Sequence, residues 1–240
     1  MMDIKPEDLQ NMMNKKINEV FFKPLEGNKN RWLIRFVPWW KNPKKSIVEK
    51  KLFWISNPDT NKVMGFPYSK EINDLYWKIR KHEKRSVQEN AKHIRLQKKF
   101  ISVIQVLNDP DISSNNEKLF LLDYGIQIYE KILNEMDSGN MPFHPYSGNP
   151  FVYSFKKIHH YKVYEDSCFI NRDASIIIDG KPSVEKVDDE RVMKFLKENS
   201  PDLDRFRTDQ NISEKHEIHL GEFIKLVLPD ENTKRIMTML

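Results

Sequence analysis

The stretch Arg31 to Lys51, RWLIRFVPWWKNPKKSIVEKK, constrains this chain more than any other. Trp32, Ile34 and Phe36 alternate with Leu33, Arg35 and Val37, a period of two that predicts a strand, and Pro38 then breaks it into a basic, tryptophan-bearing loop. Such a strand delivers cations and flat rings to one edge. Lysine and arginine neutralise phosphates, and an unstacked base offers its π-face to an aromatic ring. Trp39, Trp40, Lys41, Lys44 and Lys45 are therefore candidates for contact with a single-stranded polyanion. The competing reading is a core strand followed by a solvated basic turn.

Charge distribution favours the polyanion. The net charge of +5 divides into +12 over residues 1–100 and −7 over residues 101–240. A chain this polarised is expected to turn a basic face toward a polyanion, and no basic amphipathic helix sits beside a lipidation signal to favour a membrane surface. Between Lys78 and Lys99, nine lysines and arginines stand against only Glu83 and Glu89. Ile72 to Gln97 is read as helix with an exposed basic face, which adds Arg80, Lys84, Arg95, Lys98 and Lys99 to the candidates. A solvated charge run is the alternative.

At 240 residues, 39% hydrophobic and 31% charged, the chain can bury a real core as one large domain or two small ones. No run approaches the roughly 18 apolar residues of a membrane span, and MMDIKPEDLQ lacks a signal-peptide pattern. A cytoplasmic location is expected, that of the host cell if the protein is viral. The lone Cys168 excludes an intramolecular disulfide and a cysteine-based structural zinc site.

Further elements follow from pattern. Pro6 to Phe22 reads as a helix whose apolar stripe suits protein contact, and Lys51 to Ser56 as a strand closed by the turn NPDTNK. Phe100 to Leu107 is the strongest strand, with KLFLLDYG as its antiparallel partner and a helix from Ile126 to Met136 after Gly125. Asn149 to Tyr164 and Ser175 to Asp179 read as strands, the latter turning at Asp179-Gly180. A helix through Val192 and Leu196 and a last one over Glu217 to Leu228 complete an α+β pattern built on a small barrel, of which an oligonucleotide-binding barrel is one candidate among several.

Catalytic chemistry finds little support. His216 with His219, and His159 with His160, have no clear third ligand beside them, and Asp188-Asp189-Glu190 falls on a charged helix face. There is no glycine-rich phosphate cradle. The chain is read as non-enzymatic, with no cofactor and no metal.

Three patches carry a family resemblance. IRFVP at Ile34 to Pro38, the run ISVIQVLNDPDISSNNEKLFLLDYGIQIYEKI from Ile101 to Ile132, and NPFVYSFKKIHHYKVYEDSCFI from Asn149 to Ile170 resemble, in order and spacing, the T-even-type bacteriophage single-stranded DNA-binding proteins. The resemblance implies an oligonucleotide-binding (OB-fold) β-barrel core with an inserted basic helical subdomain and C-terminal helices. Residues 1–24 would form an N-terminal protein-contact segment, 25–182 the core with its basic subdomain at about 56–99, and 183–240 an acidic helical region. The implied function is sequence-independent coating of single-stranded DNA in phage replication, recombination and repair. Self-association along the strand and replication or recombination proteins would be the protein partners. By position, Arg35 matches a basic residue of the IRFVP strand, Phe100 a cleft aromatic, and Tyr161 and Tyr164 an aromatic pair. The chain departs from the family in three respects. Its zinc-binding cysteines are replaced by NKVMGFPYSKEINDLYW, where packing of Met64, Phe66, Tyr68 and Trp77 is expected instead. Neither the family's basic N-terminal motif nor its long acidic tail is evident. A single-stranded RNA binder acting as translational repressor, or a recombination nuclease, are the alternatives.

Overall fold

The alternation of Arg31 to Phe36 becomes strand β1 (Arg31–Phe36), with Trp32, Ile34 and Phe36 all fully buried. A computed structural model describes residues 20–25, 31–158, 161–206 and 214–228. The expectations for most of Pro6 to Phe22, for His159 with His160, and for the chain beyond Leu228 lie outside those residues. After β1 come β2 (Ile47–Ser56), β3 (Val63–Pro67), α1 (Lys70–Arg80), β4 (Ile94–Asn108), β5 (Leu119–Tyr124) and α2 (Ile126–Asp137). They are followed by β6 (Phe151–Ser154), β7 (Lys156–Ile158), β8 (Tyr161–Val163), β9 (Cys168–Phe169), β10 (Ile177–Ile178), β11 (Lys181–Pro182), α3 (Asp189–Asn199) and α4 (Glu214–Val227). The architecture is α+β with an antiparallel sheet and several helices. Among the described residues no helix is long and apolar enough to cross a membrane.

The chain divides into two units, Met1–Val48 with Phe100–Arg205, and Glu49–Lys99 with Phe206–Leu240. In the first, the strand order is β5-β4-β1-β6-β9, antiparallel throughout. Phe100 pairs with Tyr124 and Gln105 with Leu119, the partnership that two apolar runs around a polar loop predict. That loop is held by Asp109, whose carboxylate accepts hydrogen bonds from the backbone N–H groups of Asp111 and Ile112 and from the Asn115 side chain. A register shift between Leu33 and Ile34 against β4 marks a bulge, which bends the sheet. On one sheet face Trp32, Phe36, Phe100, Leu122, Tyr124, Phe151 and Tyr153 pack with Ile128 and Ile132 of α2. Each such side chain contributes about 1.5–3 kcal/mol by leaving water.

The other face buries Val103, Leu119 and Leu121 and adds a polar fastening to them. Arg35 and Gln105 are direct cross-strand partners, and both are 0% exposed. The Arg35 guanidinium donates to the carbonyls of His144, Pro145 and Ala174, the Pro145 bond measuring 3.1 Å. The Gln105 amide donates to Glu117 and Ile177 carbonyls at 2.8 and 2.6 Å and accepts the Ile177 N–H at 3.0 Å. Two buried side chains thus fasten the 144–148 loop and the β10–β11 hairpin to the sheet. The hairpin turns at Asp179 (φ 52°) and Gly180 (φ 74°), the left-handed pair that an Asp-Gly turn provides.

In the second unit β2 pairs antiparallel with β3, Phe53 opposite Phe66, after a turn in which the Asn57 side chain accepts the N–H groups of Asp59 and Thr60. Phe53, Ile55 and Phe66 pack against Ile72, Leu75 and Ile79 of α1 and Leu220, Phe223 and Ile224 of α4. His219 and His216 donate from Nε2 to the Ile55 and Gly65 carbonyls at 3.0 and 3.1 Å, pinning α4 to the two strands. Two expectations are corrected here. Ile94 to Gln97 is strand, because these residues begin the 15-residue β4 and sheet pairing overrides a partly helical spacing. Trp77, at 45% exposed, lies outside the core that Leu220, Phe223 and Ile224 of α4 help to build, whereas Tyr68, 41% exposed, still stacks on Phe53 at 5.5 Å.

Arg35→Met removes three charge-assisted hydrogen bonds, at roughly 1.5–3 kcal/mol each. The His144 and Pro145 carbonyls keep the N–H groups of Gly148 and Ile176, while the Ala174 carbonyl loses its donor. Urea unfolding should show a loss of several kcal/mol, against less than about 0.5 kcal/mol for the exposed-site control Lys181→Met. Gly148→Ala should also destabilise, since its Cβ would lie 2.7 Å from the Pro142 carbonyl oxygen and 2.8 Å from that of His144.

Candidate nucleic-acid interface

The basic segment of the second unit is built by an amphipathic helix that hands over to a strand. Ser69 caps α1, its Oγ accepting the Ile72 N–H at 3.1 Å, and the stripe Ile72, Leu75, Ile79 faces the core. Lys78, Arg80 and Lys81 are consequently left at the surface. Arg80 reaches the Tyr76 hydroxyl at 3.4 Å, and the Lys81 ammonium lies 5.4 Å from the centre of the exposed Trp77 ring. A single helical turn at Arg85–Gln88 and a 3-10 turn at Glu89–His93 lead into β4, where Arg95, Gln97 and Lys99 alternate with Ile94, Leu96 and Lys98. Of the nine cations, all but the half-buried Lys99 are exposed. Arg85 pairs with Glu89 and Lys98 with Glu49, each at 3.4 Å and solvent-exposed.

The local field is visible on His93, which meets the Ser56 hydroxyl at 2.9 Å through Nδ1. Partial burial, and then the charges of Lys92 and Arg95, lower its pKa below the usual imidazole value.

Candidates on the first unit separate by burial. Lys44 and Lys45 are exposed on the 3-10 turn Pro43–Lys45, which the Ser46 hydroxyl braces by accepting the Trp39 N–H and donating to the Pro43 carbonyl. Trp40 is half-buried, whereas Trp39 is only 3% exposed. Lys41 lies 3.1 Å from both Asp202 and Asp204, and 5.6 and 5.7 Å from the Trp39 and Trp40 ring centres. Its charge already has two carboxylate partners. Tyr164 is half-buried against Tyr153 and Phe155, and its backbone N–H is taken by Gln127 at 3.2 Å. For Tyr161 only the backbone, at the start of β8, is described.

Two further sequence-derived candidates, like Trp39, lie inside the protein. Arg35 donates from Nη1 and Nη2 to loop carbonyls, while its buried Nε–H has no hydrogen-bond partner among the described residues. Burial lowers its pKa to about 9, so it is still charged at neutral pH. Phe100 is 2% exposed, stacked on Tyr129 at 3.9 Å and 2° and packed on Tyr124 at 6.0 Å. A motif match gives position along a strand, and here α2 covers that position. Among the aromatics, sequence reasoning passed over Trp54, although its place between Phe53 and Ile55 in a period-two strand already sets it on the opposite face.

A 650 Å³ cavity in the first unit, lined by residues including Pro38, Met136, Phe143, Val192 and Met193, is apolar. Its lining includes a carboxylate, Asp189, as well as Lys44, which suits a polyanion poorly.

Phe100→Ala should cost about 3–5 kcal/mol of stability, as expected for a core aromatic. Arg95→Ala should change the urea midpoint hardly at all. As pH falls through the usual imidazole range, the unfolded chain takes up a proton that folded His93 resists, so stability should decline with acidification. His93→Gln should flatten that decline.

No family model matches the chain. Over 131 residues it is 28% identical to the single-stranded DNA-binding protein of Enterobacteria phage T2, an alignment covering 49% of this chain and 40% of that protein. The chain thus matches less than half the length of this relative.

Proposed function

We propose that this chain is a sequence-independent single-stranded DNA-binding protein that coats and protects single strands in phage DNA replication, recombination and repair, in the host cytoplasm. The observation that carries the reading is the segment Lys78 to Lys99, whose net charge of +7, nine cations against Glu83 and Glu89, is held almost entirely on exposed side chains. A strand of phosphates is the ligand that such a surface neutralises best. Partial identity to the phage T2 protein supports the same ligand.

In this reading the bulged antiparallel sheet of the first unit is the core of an oligonucleotide-binding barrel, residues 25–182 in extent, with a basic subdomain at about 56–99. Arg80, Lys84, Arg95, Lys98 and Lys99 neutralise phosphates, joined by Lys44 and Lys45. Trp40, Tyr161 and Tyr164 stack on bases. Arg35, Trp39 and Phe100 support these side chains from within, and Lys41 contributes only when released from Asp202 and Asp204. Residues 1–24 mediate self-association along the strand, 183–240 form a helical region, and replication or recombination proteins are the further partners. No catalytic step, cofactor or metal is assigned.

A fluorescence titration over a series of salt concentrations tests the reading. If about five phosphates are neutralised, log K for oligothymidylate should fall with log salt at a slope of roughly −3 to −4. Arg80→Ala or Arg95→Ala should each lower that slope by roughly 0.7. Duplex DNA should bind more weakly. Equal affinity for duplex, or binding indifferent to salt, overturns the proposal.

A further inference from the structure

We infer that Trp54 is a base-stacking platform, and that the outward face of β2, β3 and the first half of β4 holds single-stranded DNA through it. The inference rests on the proposed function and adds a residue and a surface to it.

Alternation in β2 sends Phe53 and Ile55 into the core and leaves Leu52, Trp54 and Ser56 on the other face. Across the sheet Trp54 is registered against Gly65. A Cβ built on Gly65 would lie 3.1, 3.2 and 3.4 Å from Cζ3, Cη2 and Cε3 of the indole. Three ring atoms at nearly one distance from a single point mean that the six-membered ring lies over the glycine, where a side chain would crowd it. The indole Nε1–H donates to Gln97 Oε1 at 2.6 Å, which fixes its rotation in the plane. One π-face is therefore seated on β3, and the half-buried ring turns its other face outward. A ring already fixed in place loses little conformational entropy when a base settles on it.

The surroundings select the ligand. Gln97 shares its strand face with Arg95 and Lys99, each about 7 Å away along β4. Lys50 belongs to the same face of β2, its ammonium 4.7 Å from the Phe206 ring centre. The other outward positions are Leu52 and Ser56 on β2, and Val63 and Pro67 on β3. None of these is acidic. A fixed ring with cations on its own strand face, at strand positions that carry no carboxylate, complements a base and its flanking phosphates.

The test combines variants with a measurement on the unaltered protein. Trp54→Leu keeps apolar bulk but has no π-face, and should weaken binding to short oligothymidylate about five-fold to a hundred-fold with the salt slope unchanged. Trp54→Phe should restore most of the affinity. Neither variant should alter binding to an abasic strand, which offers phosphates without bases. In the unaltered protein, irradiation of an oligonucleotide carrying 5-iodouracil should yield a crosslinked peptide containing Trp54. This readout stands even where a variant fails to fold. Trp54→Leu with wild-type affinity, an equal loss on the abasic strand, or crosslinks that avoid this peptide while the protein binds oligothymidylate, each overturns this inference alone. Absence of single-strand binding by the unaltered protein overturns the proposed function and this inference with it.

Discussion

The buried cross-strand pair Arg35 and Gln105 is the constraint on which the first unit depends. Irregular backbone cannot cover a sheet face by apolar contact alone, because its N–H and C=O groups leave water and need partners. Arg35 supplies donors to three carbonyls, and Gln105 both donates to and accepts from the hairpin segment. Burying a guanidinium carries a desolvation cost that only such a set of acceptors offsets. Gly148 belongs to the same arrangement, since its missing side chain lets two carbonyls and the guanidinium converge within 3.0 Å of where a Cβ would stand.

The second unit solves a different problem. Its segment from Lys78 to Lys99 carries nine cations against Glu83 and Glu89, and all but Lys99 stay exposed to water. What keeps the segment folded is the apolar stripe of α1 and the packing of α4, with two histidines bonded to strand carbonyls. Stability and charge are thereby placed on opposite sides of the same elements. Aromatic residues divide in the same way: Phe53 and Phe66 stabilise the core, while Trp54, one position along, is held at the surface.

Much of this was legible in the residues themselves. A period-two run marks β1, apolar runs rich in aromatic and β-branched residues mark β4 and β5, the 3.6-residue spacing after Gly125 marks α2, and Asp179-Gly180 marks the β10–β11 turn, because each signal is local. The α+β class and the polarised charge are likewise properties of the string. Residue type also identifies Arg95 and Lys98 as exposed cations, since lysine and arginine rarely leave water without partners.

Which face of a strand is covered is a different kind of fact. Arg35 reads as a cation on an edge until residues 109 to 139 positions away close over it. Phe100 reads as a cleft aromatic until Tyr129 stacks on it, and Ile94 to Gln97 reads as helix until sheet pairing draws it into β4. Trp54 looks like any strand tryptophan until Gly65 and Gln97 orient it. The sequence alone determined the periods, the turns and the charge. Tertiary structure alone decided which rings and cations face water, because burial depends on contacts between residues far apart in the chain, and no local pattern encodes them.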